Sequence, residues 1–495
     1  MVWRVDFYNY YYDLLSYLHQ RRQRQHHYEV TVHATHVDRD ALTRVHLTNE
    51  TNMLRARRSR MSLDHFQLLS QIGQGGYGCV YLARKRDTGE ICAVKKMSKR
   101  LLHKLNEAQH ILTERDILTA AKSPWLVRLF YAFQDAACLY LAMEYVPGGD
   151  LRTLLNHSGI LRLKNARFYF AEMAMAVDAL HQLGYIHRDL KPENFLIDAA
   201  GHIKLADFGL SNGMLSQKRI DSIRQKLDAV RGRRPVPRSS AQRRQLQATR
   251  RDNPMLAYST VGSPDYMAPE VLRYTVGYGH LVDYWSLGCI LFEFLAGHTP
   301  FAGATIEEVW ANVYHWERVL VRPTFNSPVA SANLTDDAWH LICRLITHRE
   351  HRLSSFEAIR QHPFLRGLDC TNLRPPFVPS LTSTEDTGYF DDFSDPSDMR
   401  AYRDVLERQA HMEEMGRDAV EPPRATFVGF TFRHRSEEQK CAAGFGGDHV
   451  DFGHARIQTQ ETASRKGTMV MRWLAGEASC RDILACEPAA WSTAT

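Results

Sequence analysis

Gly73-Gln74-Gly75-Gly76-Tyr77-Gly78-Cys79-Val80 sets four glycines in a turn between two runs of β-forming residues. Glycine lets backbone N–H groups come close to a ligand, which suits phosphate oxygens. A GxGxxG spacing alone often marks only a hairpin, and a dinucleotide site would need a helix directly afterwards. Here the following residues read as a strand, so the turn is expected to close over phosphates as a hairpin, with Val80 offering an apolar contact. Cys92-Ala93-Val94-Lys95 comes next. A lysine on an apolar strand is either a snorkelling edge residue or a phosphate ligand held by a carboxylate. Glu114, in the following helical stretch, is the candidate carboxylate.

His187-Arg188-Asp189-Leu190-Lys191-Pro192-Glu193-Asn194 and then Asp207-Phe208-Gly209 resemble the signature of protein kinases, and the roles that follow are those this resemblance implies. Asp189 falls on a short loop after a predicted helix, where a carboxylate orients a hydroxyl nucleophile and accepts its proton. Asn194 and Asp207 supply hard oxygen donors of the kind magnesium takes beside a triphosphate. Lys191 adds positive charge next to a transferred phosphoryl group. Any one of these residues would ordinarily be a salt bridge or a loop cap, but their order and spacing together do not fit that reading. With Ala268-Pro269-Glu270 and Asp283-Tyr284-Trp285-Ser286-Leu287-Gly288, residues 66–365 resemble the eukaryotic protein kinases.

That resemblance implies an α+β, bilobal protein-kinase fold using ATP and Mg2+. It assigns Ile72, Gly73, Gly75, Gly78, Val80, Ala93 and Lys95 to ATP, Met143 to the gatekeeper position, Glu144 to Val146 to the adenine-binding hinge, and Asp150 to the ribose. Lys95, Glu114, Asp189 and Lys191 become the catalytic set, and Asn194 and Asp207 the metal ligands. Lys191, two residues beyond Asp189, implies a Ser or Thr acceptor. Glu193 and Glu293 match positions that contact a substrate arginine, and Arg352 matches the partner of Glu270 in a structural ion pair.

The elements that must hold these residues are legible in outline. Residues 66–145 alternate β-rich runs with one helical stretch near 106–121, a small lobe; helical periods dominate 146–365, a larger one. The whole chain of 495 residues, 44% hydrophobic and 24% charged, is too long for one ordinary domain and too apolar for general disorder. A formal net charge of +6 gives no general attraction to nucleic acid. Nine cysteines without a CxxC pair argue against a disulfide scaffold or a zinc module and fit reduced, intracellular thiols. Without a signal-peptide core or an apolar run of membrane length, the chain is expected to be soluble and not secreted.

Flanking segments narrow the resemblance. Tyr11, Leu14, Leu15 and Leu18 form one face of an amphipathic helix within 1–60, followed by Arg21, Arg22 and Arg24. Such a helix either packs on the main domain or docks a partner. Arg55, Arg57, Arg58 and Arg60 read as a solvated linker. Between Asp207 and Glu270, residues 214–258 hold 12 Lys/Arg against 3 Asp/Glu, more than the excess of the entire chain. Beyond 365, Phe390-Asp391-Asp392-Phe393 and the Phe427/Phe430/Phe432 segment, all within 366–435, are similar to the C-terminal extension of AGC kinases. Phe390 would then cover the nucleotide, and the later phenylalanines would dock on the small lobe. Residues 440–495 lack periodicity and are expected to be disordered.

The basic insert, the Tyr/Arg-rich N-terminal helix and Thr431 in the hydrophobic motif together resemble the NDR/LATS kinase family; within it, Ser-Thr-Val-Gly-Ser-Pro-Asp-Tyr-Met at 259–267, the DYWSLGC run at 283–289 and GGDLRTLL at 148–155 are similar to the fungal septation and mitotic-exit branch. This implies a MOB-family adaptor on residues 1–60, with Tyr11, Leu15, Arg21, Arg22 and Arg24 at the contact. It implies Ser259 as an autophosphorylated residue, Thr431 as the target of an upstream Ste20-like kinase, and an autoinhibitory insert relieved by the adaptor. A cytoplasmic location with spindle-pole-body, septum and nuclear pools follows from the same likeness. Two other readings stay open: a kinase-fold scaffold that binds adaptor and substrates without catalysis, and a phosphate-backbone-binding role for the insert, which has no aromatic residue before Tyr258 to stack on bases. The insert is also readable as a solvated loop.

Overall fold

The computed structural model describes residues 2–34, 38–58, 61–209 except 77 and 106, 225, 230, 232, 234–252, 264–273, 279–325, 333–369, 373–395, 399, 402–403, 405–407, 409–411, and 424–433 except 428. Ser259 and the segment 440–495 lie outside them.

Two lobes follow from two kinds of pattern. In the small lobe, β1 (Phe66–Gly75), β2 (Gly78–Lys85), β3 (Ile91–Ser98), β4 (Leu129–Gln134) and β5 (Cys138–Glu144) form an antiparallel sheet in the order β1-β2-β3-β5-β4. The tail supplies an added edge strand, β8 (Phe432–Arg433), beside β4. The glycine-rich turn joins β1 to β2, with Gly75 opposite Gly78. At Gly78 a Cβ would lie 1.8 Å from the Lys96 carbonyl oxygen, so the strands can approach only over glycine.

α4 (Ala108–Ala120) fills the helical stretch expected here. The short α3 (Lys99–Lys104) precedes it; Ser98 caps it by accepting from Leu101 N, and its single turn and a half is too brief to show periodicity.

The large lobe is built on α5 (Leu151–Ser158), α6 (Leu163–Gln182) and α9 (Leu281–Ala296), with the hairpin of β6 (Phe195–Ile197) and β7 (Ile203–Leu205) facing the cleft. α9 is buried from Val282 to Ala296, so every side of it faces protein. Its two acids, Asp283 and Glu293, are therefore charges that require partners inside the protein. Around it pack α10 (Ile306–Tyr314), α12 (Asp336–Leu345) and α13 (Phe356–Arg360), with the shorter α8 (Pro269–Arg273) and α11 (Trp316–Val319).

Two expectations change. α1 (Val2–Ala34) and α2 (Arg39–Arg58) form a helical hairpin, in which Tyr28 stacks on His46 and Arg24 pairs with Glu50 at 2.5 Å. The backbone at Arg55, Arg57 and Arg58 thus belongs to a helix and not to a linker, because isolated arginines are good helix formers; Arg60 lies outside the described residues. The basic insert is not wholly a solvated loop: its residues 240–252 form α7 (Ser240–Asp252), started by Ser239, which accepts from Gln242 N while Gln242 Oε1 accepts from Ser239 N. No described helix is long and apolar enough to cross a membrane.

After α13 the tail passes Gly201, between β6 and β7, and then Gly148 and Gly149. The Phe377 carbonyl passes Gly201, whose φ of +92° and missing Cβ allow that approach.

Candidate active site

β3 and α4 set the first relationship. Lys95 Nζ donates to Glu114 Oε1 at 2.7 Å and lies 3.5 Å from Asp207 Oδ1. Burial pushes the Glu114 carboxyl above its usual range against the pull of Lys95. Burial also works against the Lys95 ammonium, but the two carboxylates more than offset it and hold the lysine charged. The same ammonium holds Asp207 down to about 2, so Asp207 is ionised at neutral pH.

Asp189 sits on the loop after α6. Lys191 Nζ is 3.2 Å from its Oδ2, and Asn194 Nδ2 donates to its carbonyl oxygen at 3.1 Å. The loop is anchored from α9: Asp283 Oδ2 and Oδ1 accept from the backbone N–H groups of His187 and Arg188, each at 2.8 Å. Arg188 and Asp207 adopt positive φ, 72° and 59°, so both sides of the site carry backbone strain, and the Asp283 bonds hold the Arg188 side. Phe208 is fully buried beside His187, ring centroids 5.9 Å apart. The ionised Asp207 and the Asn194 amide are hard oxygen donors, and Glu114 Oε2 is a buried oxygen with no hydrogen-bond partner; the donor chemistry at 194 and 207 fits magnesium.

Several of the residues expected to hold the nucleotide gather in one apolar cluster. Ile72, Leu82 and Ala93 form one apolar cluster with Val80, Tyr145 and Phe390, and Tyr145 and Phe390 have centroids 5.8 Å apart. Met143 faces Ala93 across β3 and β5, and Val146 is buried. Glu144 pairs with Lys204 at 3.1 Å. Asp150 caps α5, its Oδ1 accepting from Thr153 N at 2.7 Å, and burial pushes its carboxyl up to about 6. Gly73 and Gly75 lie in β1 at the turn; Gln409 of the tail donates to the Gly75 carbonyl at 2.6 Å and accepts from Gln74 at 3.1 Å.

The two carboxylates expected to meet a substrate arginine already share one. Arg152 reaches Glu193 at 3.0 Å and Glu293 at 2.7 Å. Glu293 is 2% exposed and also accepts from Tyr266 and Gln247, whereas the side chain of Glu193 is 40% exposed. Gln247 belongs to α7, so the insert docks on the large lobe. Arg238 forks onto Glu308 at 2.7 and 2.9 Å, Arg243 is buried and donates to the Pro300 carbonyl, and Arg244 lies over the Phe325 ring.

Comparison with known proteins agrees with this geometry. The protein kinase domain model matches residues 66–234 and 239–365, and the protein kinase C terminal domain model matches residues 381–432. The chain is similar to serine/threonine-protein kinase sid2 of Schizosaccharomyces pombe, 51% identical over 89% of this chain and 74% of that one. It is 47% identical to serine/threonine-protein kinase DBF20 of Saccharomyces cerevisiae over 91% of this chain and 82% of the other. Cell cycle protein kinase DBF2 of the same yeast is 49% identical over 80% and 69%.

The chain belongs to the NDR/LATS family of AGC serine/threonine protein kinases.

In this kinase the positions expected to be regulatory separate. Thr431 is exposed next to the buried Phe427 and Phe430, while Ser259 is outside the described residues. Leu15 is exposed, Arg21 and Arg24 both reach Glu50, Arg22 is exposed, and the side chain of Tyr11 lies outside what is described. Asp283 anchors the loop that holds Asp189 through the His187 and Arg188 N–H groups, yet drew attention only through the family motif. Its signal was available without that motif, since a carboxylate inside a mostly apolar helix must bind something. Arg152, Gln247 and Gln409 gave no comparable signal: each is a polar residue in a polar or mixed stretch.

Proposed function

We propose that this kinase transfers the ATP γ-phosphate to Ser or Thr in proteins with basic residues upstream, under control of a MOB adaptor and phosphorylation, in septation, cytokinesis or mitotic exit. The arrangement that carries this reading is Lys95 between Glu114 and Asp207, with Asp189 and Lys191 at the neighbouring loop. Lys95 binds phosphate oxygens, Glu114 fixes the lysine, Asp189 orients the acceptor hydroxyl and takes its proton, and Lys191 lies beside the phosphoryl group. Asn194 and Asp207 would hold magnesium, which supplies neutralisation of the triphosphate charge. Ile72, Gly73, Gly75, Gly78, Val80, Ala93, Met143, the 144–146 hinge, Asp150 and Phe390 enclose the nucleotide. Glu193 borders the substrate side of the cleft, where Arg152 already holds it.

Control acts through the flanking parts. Leu15, Leu18, Val30, Val45 and Leu47 are exposed on the α1–α2 hairpin beside basic side chains, which suits an adaptor with an apolar and acidic face. Phosphate on Ser259 or Thr431 adds about −1.5 to −2 of charge, enough to recruit Arg or Lys and order a segment. α7, docked through Arg238, Arg243 and Gln247, is the autoinhibitory part of the insert, and the adaptor releases it. A cell-division role rests on the likeness to the relative named as a cell cycle protein kinase. The cytoplasm, the spindle pole body, the septum and the nucleus are the proposed places, and an upstream Ste20-like kinase the proposed activator.

The test is phosphate transfer to a peptide with arginine three residues before a serine, using wild type, Asp189→Ala and Thr431→Ala with and without a MOB protein. Stimulation of wild type, weak Thr431→Ala and inactive Asp189→Ala are expected. Wild type no better than Asp189→Ala, with MOB bound and Thr431 phosphorylated, would replace the catalytic reading by the scaffold.

A further inference from the structure

We propose that Arg152 is a specificity-determining residue: an arginine of the chain's own that fills the Glu193–Glu293 carboxylate pair and keeps the peptide site from selecting a second basic side chain. The inference rests on the kinase reading above and adds to it which substrate charges count.

Arg152 lies in the first turn of α5. A bridge between Asp150 and Leu196 ties that turn to the chain just beyond the catalytic loop, and Glu193 is in that loop, four residues after Asp189. A charge here borders the residues that flank an acceptor serine. The guanidinium is used on three nitrogens: Nε donates to Glu193 Oε1 at 3.0 Å, Nη1 to Glu293 Oε1 at 2.7 Å, and Nη2 to Glu293 Oε2 at 3.3 Å and to the Tyr266 hydroxyl. Tyr266 in turn donates to Glu293 Oε2 at 2.5 Å, and Gln247 Nε2 donates to Glu293 Oε1. Both oxygens of Glu293 are therefore doubly engaged, and the residue is buried.

A peptide arginine entering this pair would exchange one guanidinium for another and gain no new charge-assisted bond. Its affinity there is set by what Arg152 loses, so the subsite discriminates weakly. Without Arg152 the pair becomes two facing carboxylates, one of them buried, and an unpaired buried charge strongly favours any cation that reaches it. The same cleft would then demand a second basic residue. Lysine at 152 keeps the charge but not the planar fork, so it leaves part of the pair open.

A merely structural role, stapling α5 to α9, predicts that loss of Arg152 lowers activity equally on all peptides. The ratio of kcat/KM between two peptides, measured on one enzyme preparation, does not depend on the folded fraction and separates the two roles. The full chain with its MOB protein is assayed as wild type, Arg152→Met and Arg152→Lys. One peptide carries a single arginine three residues before the serine; a matched set adds a second arginine at each other nearby position. For wild type the two-arginine to one-arginine ratio stays near one everywhere. For Arg152→Met it rises about tenfold or more at one position, and for Arg152→Lys by a smaller factor at the same position. Ratios in both variants equal to wild type overturn the proposal; so does a wild-type enzyme that already prefers the second arginine at that position. If Arg152→Met does not fold, the Arg152→Lys ratio decides alone. A wild type inactive on every peptide would instead sink the kinase reading on which this one stands.

Discussion

Arg115, the residue after Glu114, donates its guanidinium to the Gly429 carbonyl and so fastens helix α4 to the C-terminal tail. Around that bond Phe427 and Phe430 are buried in the core, Gln134 donates to the Phe427 carbonyl at 2.8 Å, and Phe432 pairs with Ala132. The tail therefore bears on the position of Glu114, and through it on Lys95. Phe430→Ala should lose about 3–5 kcal/mol of tail docking. Activity on peptide should fall about tenfold or more, and amide exchange in α4 should accelerate. Unchanged exchange in α4 would show that the tail does not hold the helix.

Asp150 gives a pH dependence whose sign is fixed by its burial. Its carboxyl titrates at about 6 in the folded protein against an ordinary 3.8. In the proposed ribose contact it is above that pH an ionised acceptor for the hydroxyls; below it, a proton occupies one oxygen. KM for ATP should rise as pH falls through about 6, and Asp150→Asn should flatten that limb, since Asn caps α5 equally well. Because the folded value lies above the unfolded one, this group's contribution to stability is complete below the unfolded value and is lost as pH rises through about 6. An ATP titration across that range decides it; a pH-dependent limb retained in Asp150→Asn would assign the effect elsewhere.

Gln409 joins the tail to the glycine-rich turn through the Gly75 carbonyl and Gln74. A turn that closes over phosphates is worth more when its open positions are removed. Gln409→Ala should raise KM for ATP by about two- to tenfold, the value of one or two hydrogen bonds, with kcat little changed. Equal KM values would mean that the turn closes without the tail.

Arg352 is a buried partner of Glu270 and also donates to the Leu281 and Thr347 carbonyls at 2.9 and 2.8 Å, with its guanidinium 5.1 Å from the Trp285 ring centroid. Arg352→Ala leaves Glu270 charged and buried, which should cost about 3–5 kcal/mol. Arg352→Lys should recover only part of this, because an ammonium cannot fork or stack in the same way. Urea midpoints measure both; a loss below about 1 kcal/mol for the alanine variant would remove the pair from the stability of the large lobe.

The sequence made some of this legible and not the rest for physical reasons. Asp189, Asn194, Asp207 and Lys95 are readable because phosphoryl-transfer chemistry fixes residue type and spacing together within short stretches. The lobes are readable because β1 to β5 and α6 have strong period-2 or helical patterns. Arg152 was not, since its partners lie 41 and 141 residues away and nothing local marks it as paired. α7 was hidden by composition: a strongly basic stretch looks solvated, yet Arg243 is buried because a carbonyl at Pro300 takes its proton donor and Ser239 starts the helix. α3 was hidden by shortness, and the helical end of α2 by arginines that are compatible with either helix or linker.

The docking of α7 offers a test of autoinhibition that does not depend on removing the insert. Arg238 forks onto Glu308 with both side chains partly buried, so the pair is stronger than an exposed one. Arg238→Glu places two carboxylates together and should release α7, taking Gln247 away from Glu293 and baring the substrate side of the cleft. Activity without MOB should rise by about tenfold, and the stimulation by MOB should shrink correspondingly. The charge swap Arg238→Glu with Glu308→Arg restores the attraction and should return the enzyme to its adaptor-dependent state. Higher basal activity in the single variant that persists in the swap would assign the effect to loss of Arg238 itself, and unchanged basal activity in the single variant would show that α7 docks without inhibiting.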